Sequence, residues 1–226
     1  MHSRRQTSWA LRAPAHWIVW TVVLFALTFG LGFAAKSIPA LRLAAVDAAV
    51  NSVNSSLLDR MALALDFLDR PTVVAAVLAV TFIVVLLIKG WRLALAVCVV
   101  TGLGWLTTLV VKAVVAEPRP TAVLSHILKV SPATLSYPSG HVVFAAALVA
   151  ALAMVCRRVA SRTIILIVGG LFILLVAWSR LYIGVHFTSD VVGAILNGVA
   201  GAILFAGLWN LLARRVFPGD RKRAGR

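Results

Sequence analysis

Six long stretches of the chain are almost free of charge: 17–35, 72–88, 93–116, 141–156, 163–182 and 191–213. A bilayer crossing needs about 20 predominantly apolar residues in a helix, so the pattern predicts six transmembrane helices in one bundle, an all-α polytopic fold. The fourth stretch is the shortest and begins beside Pro138. The first is preceded by Arg4, Arg5 and Arg12, but its apolar core is longer than a secretory signal requires, and it is expected to remain as an anchor. Between the first two stretches, Val46, Val50, Val53, Leu57, Met61, Leu65 and Leu68 recur at spacings of three and four, with Asp47, Asn51, Asn54 and Ser55 between them. This is the period of an amphipathic helix. Segment 36–70 is expected to lie on the outer membrane surface, broken near Ser55, or to pack as a lid on the bundle.

Composition agrees with this pattern. Of 226 residues, 62% are hydrophobic and 13% charged, against roughly half and a quarter in soluble domains. A soluble single-core protein and a disordered chain are both excluded. With no repeat or second domain in view, residues 1–226 are expected to form one membrane-embedded domain. Cys98 and Cys156 both lie in apolar stretches, where a thiol behaves as a small hydrophobe.

The net charge of +15 would suggest nucleic acid in a soluble protein, but in a polytopic one it reports orientation. Most of the Lys and Arg fall before residue 17, in the 89–92 and 157–162 turns, and in the basic tail 214–226; of the acids, only Asp220 lies on that side. By the positive-inside rule both termini are cytoplasmic and the other connections are external. No nucleic-acid partner is expected.

The external connections carry the chemistry. Lys112 ends the third stretch, followed by Glu117, Pro118, Arg119, Pro120 and then Tyr137, Pro138, Ser139, Gly140 and His141; Ser179 and Arg180 end the fifth, followed by His186 and Asp190. The predicted topology brings all of these to one face. Singly they are weak signals: Lys112 and Arg180 could be interfacial cations, Ser139 a helix cap and each histidine structural. Together, Lys112, Arg119 and Arg180 around at most one nearby acid, Asp190, make a pocket for a dianion such as phosphate. The backbone at Ser139, Gly140 and His141 would add a helix N-terminus. His186 and Asp190, four residues apart, suit a carboxylate-oriented imidazole nucleophile, and His141 an acid and then a base. Three neighbouring cations disfavour a divalent ion, and no metal or other cofactor is expected.

These residues resemble the type 2 phosphatidic acid phosphatase superfamily: Lys112, six residues, Arg119, Pro120; then Pro138, Ser139, Gly140, His141; then Ser179, Arg180, five residues, His186, three residues, Asp190. The ordered set covers residues 112–190, and the six-span layout is similar to the integral membrane branch, which includes phosphatidylglycerophosphatase B-like and polyprenyl diphosphate phosphatase-like proteins. The resemblance implies metal-independent phosphate ester hydrolysis through a phosphohistidine on His186. It implies phosphoryl binding by Lys112, Arg119, Ser139, Gly140 and Arg180, acid–base work by His141, and orientation of His186 by Asp190. The expected substrate is a membrane lipid phosphate, a polyprenyl (di)phosphate at the extracytoplasmic face of a bacterial inner membrane. Phosphatidylglycerophosphate or phosphatidate is the alternative lipid, and a non-catalytic lipid-phosphate binding or transport protein the alternative class.

Overall fold

The computed structural model describes residues 9–53, 55–120, 128 and 135–216. Arg4, Arg5, Asn54, Lys129, Asp220 and the basic tail beyond Val216 lie outside these. Among the described residues the fold is all-helical: α1 (Trp17–Ser37), a 3-10 turn (Pro39–Arg42), α2 (Ala44–Ser52), α3 (Ser56–Leu65), α4 (Pro71–Lys89), α5 (Trp91–Val115), α6 (Gly140–Val155), α7 (Val159–Tyr182) and α8 (Thr188–Val216).

Each apolar stretch becomes one helix, with ends within a few residues of the hydropathy boundaries. Helices α1, α4, α5, α7 and α8 are long and apolar enough to cross a membrane. Six crossings were expected. The other, α6, has 16 residues, about 24 Å at 1.5 Å per residue, slightly short of a hydrocarbon core of about 30 Å. It is short because the turn at Pro138 and Ser139, which carries site residues, takes the place of its first turn.

Helix α8 lies at the centre and packs on α1, α5 and α6, while α4 packs on α5 and α7 on α6. Small residues allow this: Asn197, Gly198, Ala200, Gly201 and Ala202 of α8 are all buried. A Cβ on Gly201 would stand 2.8 Å from Cα of Gly104, so α5 and α8 touch backbone to backbone. One apolar cluster joins α4, α5, α6 and α8 through Val85, Val97, Val100, Ala151, Val155 and Ile203. The outward faces stay apolar, with Leu87, Ile88, Leu109, Ile164, Leu171 and Leu174 exposed. Such a surface is suited to lipid rather than water. Cys98 and Cys156 are free thiols.

Segment 36–70 breaks where expected, with Ser55 capping α3 by accepting from the Leu58 N–H. Its amphipathicity faces inward. Asp47 and Asn51 are fully buried, whereas Val46, Val53, Leu57 and Met61 are exposed. The polar face binds the bundle: Asp47 accepts hydrogen bonds from Thr188 N (2.9 Å) and Oγ1 (2.6 Å), and Asn51 Nδ2 donates to Tyr182 O at 2.9 Å. The segment therefore docks on the ends of α7 and α8 and turns an apolar face outward.

Candidate active site

The site forms where the C-terminal ends of α5 and α7 meet the N-terminal ends of α6 and α8. Ala116, in the left-handed region (φ 52°), ends α5 just after Lys112. The Lys112 ammonium turns back to donate to the carbonyls of Leu135 (2.9 Å) and Ser136 (3.2 Å), which ties the chain ahead of α6 to α5. Arg119 donates from Nη1 to Val185 O at 2.8 Å. Ser139 occupies the position before α6, so Gly140 and His141 are its first residues. Arg180 lies in the last turn of α7, and the chain then bends at Gly184, whose φ of 77° favours glycine. That bend brings His186 back to the cavity, and Asp190 follows in the first turn of α8.

His186 is buried, with Nδ1 3.2 Å from Asp190 Oδ2 and Nε2 3.4 Å from Arg119 Nη1. A carboxylate only accepts, so Nδ1 carries the proton and Nε2 presents its lone pair. Asp190 Oδ2 also accepts from the Phe187 N–H at 2.8 Å and from the Ser136 hydroxyl, which fixes its direction. Burial first, then the charges of Arg119, Lys112 and Arg180, hold the His186 imidazole well below its usual range, so it is neutral. His141 arrives from α6 with Nε2 3.0 Å from Asp66 O and 3.2 Å from Arg180 Nη1.

Lys112, Arg119, Gly140, His141, Arg180 and His186 thus line one cavity of about 70 Å³. That is room for a group of a few heavy atoms. Ser139 and Asp190 lie just behind it, both buried, and among the described residues the Ser139 hydroxyl has no hydrogen-bond partner. All eight candidate residues from the sequence come together.

The expected charge balance does not hold. Instead of three cations around at most one acid, the cavity is also lined by Asp66 and Asp69. The chain between α3 and α4 folds over the site, so two acids assigned to a surface helix reach inside. Asp66 Oδ1 accepts from Arg180 Nη1 at 2.7 Å, with Arg180 wholly buried. Asp69 accepts from Trp105 Nε1 at 2.9 Å and stands 3.6 Å from His141 Nδ1; burial raises its carboxyl above the usual range. Sequence reasoning missed Asp66, Asp69 and Ser136. Two acids three residues apart, directly before a Pro-initiated apolar helix, were the available signal.

Residues 90–214 match the model of the PAP2 superfamily, more than half of the chain. The chain belongs to that superfamily. Over 85 residues this PAP2 protein is 31% identical to the "Putative undecaprenyl-diphosphatase YbjG" of Escherichia coli (strain K12), an alignment covering 36% of the chain and 39% of that relative. It therefore spans about two fifths of the length of the curated relative it matches. In fold it is similar to the first transmembrane PAP2 type phosphatidylglycerolphosphate phosphatase from Bacillus subtilis, with a TM-score of 0.69 and 22% identity over 83% of this chain and 94% of that one. It is also similar to Aquifex aeolicus LpxE, with a TM-score of 0.56 and 22% identity over 71% of this chain and 92% of that one. Its apolar helices and these relatives make this PAP2 protein a multi-pass membrane protein.

Proposed function

We propose that this PAP2 protein is a metal-independent membrane lipid phosphatase that works through a phosphohistidine on His186. The observation that carries the reading is the orientation of that ring: Nδ1 faces Asp190, and Nε2 faces a cavity shared with Lys112, Arg119, Arg180 and His141. A phosphate entering it would exchange hydrogen bonds with the three cations and the start of α6. The Nε2 lone pair would form a bond to phosphorus as the bond to the leaving oxygen breaks, and His141 would give that oxygen a proton. Water would then attack phosphorus and lose a proton to His141 as the P–N bond breaks. Around the cavity Asp66 accepts from Arg180, Asp69 Oδ1 from Trp105 and Asp190 Oδ2 from Ser136, and the three cations Lys112, Arg119 and Arg180 share the space with these acids. This supports chemistry without a divalent ion. Residues 1–226 act in this reading as one domain.

A polyprenyl (di)phosphate is the first substrate choice, on the likeness to a protein named as an undecaprenyl-diphosphatase. An apolar groove of about 590 Å³ between α2 and α7, lined by Ala45, Val46, Ala49, Val50, Val53 and Trp178, supports a lipid tail. The fold shared with a phosphatidylglycerolphosphate phosphatase favours that lipid as the second choice. The test is phosphate release in detergent with chelator present, from undecaprenyl diphosphate, phosphatidylglycerophosphate and phosphatidate. Wild type should turn over at least one, and His186→Ala should lose about a thousandfold or more of that rate. Activity that needs added divalent metal, or that survives in His186→Ala, would overturn the reading; binding with no turnover would make the protein a lipid-phosphate carrier.

A further inference from the structure

Asp69 lies outside every motif, yet it is held at the reacting centre from three sides. Trp105 Nε1 donates to its Oδ1 at 2.9 Å. A Cβ on Gly140 would stand 2.7 Å from its Oδ2, so the carboxylate lies against the first residue of α6. Its Oδ2 is 3.6 Å from His141 Nδ1, an ion-pair separation rather than a hydrogen bond. At Nδ1 the geometry repeats that of Asp190 and His186, where a carboxylate oxygen also faces the ring, whereas Nε2 of His141 lies against the Asp66 carbonyl and Arg180.

From this we infer that Asp69 is a positioning residue that keeps His141 protonated on Nδ1 and offsets the positive charge the ring carries as an acid. The inference rests on the phosphatase reading above. His141 needs such an anion, because its Nε2 is 3.2 Å from Arg180 Nη1, and Lys112, Arg119 and His186 line the same cavity. The other acid there, Asp66, holds Arg180 at 2.7 Å; its Oδ1 is 3.9 Å from His141 Nε2, to which it also offers its backbone carbonyl at 3.0 Å, so Asp69 is the carboxylate that faces Nδ1. In the acid form Nε2–H rests on that carbonyl and Nδ1–H points at Asp69. Proton transfer to the leaving oxygen takes the Nε2 proton alone, and the ring stays oriented as a neutral base for the water step.

The experiment compares two leaving groups. Asp69→Asn keeps an acceptor for Trp105 and removes the charge. With a polyprenyl monophosphate, whose alkoxide leaves poorly, it should lower kcat/KM, which covers only the steps up to departure of the alcohol, by ~10- to 100-fold, and move the basic limb of the kcat/KM profile to lower pH. With p-nitrophenyl phosphate, whose phenolate needs little proton assistance, kcat/KM should change less than about threefold, although kcat, which includes the shared water step, can fall on both substrates. Trp105→Phe, which frees Oδ1 and leaves the charge, should move both readings the same way by a smaller factor. Equal losses of kcat/KM on the two substrates would show a structural role and overturn the inference. So would a faster or tighter-binding Asp69→Asn, which would mark the carboxylate as a competitor of the phosphate. Retained turnover in His186→Ala, run alongside, would instead overturn the phosphatase reading itself.

Discussion

A nucleophilic imidazole must be neutral when the phosphate arrives, and the surroundings of His186 secure this by burial and by cations. The same cations bind the anion, so anion affinity and nucleophile protonation are linked through Arg119, whose Nη1 is 3.4 Å from Nε2. Removing the guanidinium withdraws a positive charge and lets the His186 pKa climb back towards 6.5. Arg119→Gln should therefore lower kcat/KM by ~10-fold or more at neutral pH, and move the acid limb of the kcat/KM profile to higher pH than in wild type. Ionisation of the substrate is common to both enzymes, so the displacement between the two curves is the measurement. Coincident acid limbs would show that Arg119 does not set the protonation of His186. The motif residues were legible in the sequence because phosphate chemistry restricts their types: a permanent cation, a small residue at a helix start, an imidazole with a carboxylate one turn away. Asp66, Asp69 and Ser136 were not, because their roles depend on which partner the fold sets opposite them. Asp66 is an ordinary acid at the end of an amphipathic segment until Arg180 of α7 meets it 2.7 Å away.

At the scale of elements, hydropathy located every long helix, since only a helix satisfies its backbone within an apolar stretch. It could not say which way segment 36–70 faces. Periodicity separates an apolar from a polar side, but in a membrane protein the polar side can be the buried one. Here Asp47 and Asn51 point at the ends of α8 and α7, where Thr188 and the Tyr182 carbonyl need partners. Helix-to-helix contact was equally invisible. Without a hydrophobic drive between helices in lipid, close approach depends on small residues, and α5 and α8 meet at Gly104 and Gly201, with a partly buried hydrogen bond of 3.1 Å from Asn197 to Thr107 also joining them. A methyl on Gly201 would press on the backbone of Gly104, at 2.8 Å from Cα and 3.0 Å from O, so no rotamer change can relieve it. Gly201→Ala should cost about 1–3 kcal/mol and lower the thermal midpoint in detergent. Gly170→Ala, where nothing lies within 4 Å, serves as the control and should leave the midpoint unchanged or slightly higher. Equal midpoints for the two variants would mean that α5 and α8 can separate without loss.

The whole molecule has two poles. Every site residue sits at the end of α5 or α7 or the start of α6 or α8, together with the segment 36–70. The opposite ends of the same helices carry Arg92 at the start of α5, Arg157 and Arg158 between α6 and α7, and Arg214 and Arg215 at the end of α8. The chain before α1 joins that second pole, where Arg12 donates to Arg157 O at 2.8 Å and Leu11 and Asn210 exchange hydrogen bonds. The exposed cations are unequally shared between the poles. Lys112 and Arg180 at the first are partly or wholly buried against carbonyls and a carboxylate, leaving Lys36, Arg60 and Arg70 exposed there, while Arg12, Lys89, Arg157, Arg158, Arg162, Arg214 and Arg215 are exposed at the second. Exposed short-loop cations are the ones that hold a connection in the cytoplasm, so the pole with the cavity should face outward. In a Cys98→Ala, Cys156→Ala background, a thiol placed by Ser52→Cys, exposed on α2 beside the site, should react with a membrane-impermeant maleimide in intact cells. One placed by Ser161→Cys, exposed at the start of α7, should react only after permeabilisation. Labelling in the reverse order would put the phosphate site in the cytoplasm and leave the exposed arginines without an orienting role, whereas the expected order restricts the substrate to lipid phosphates presented in the outer leaflet.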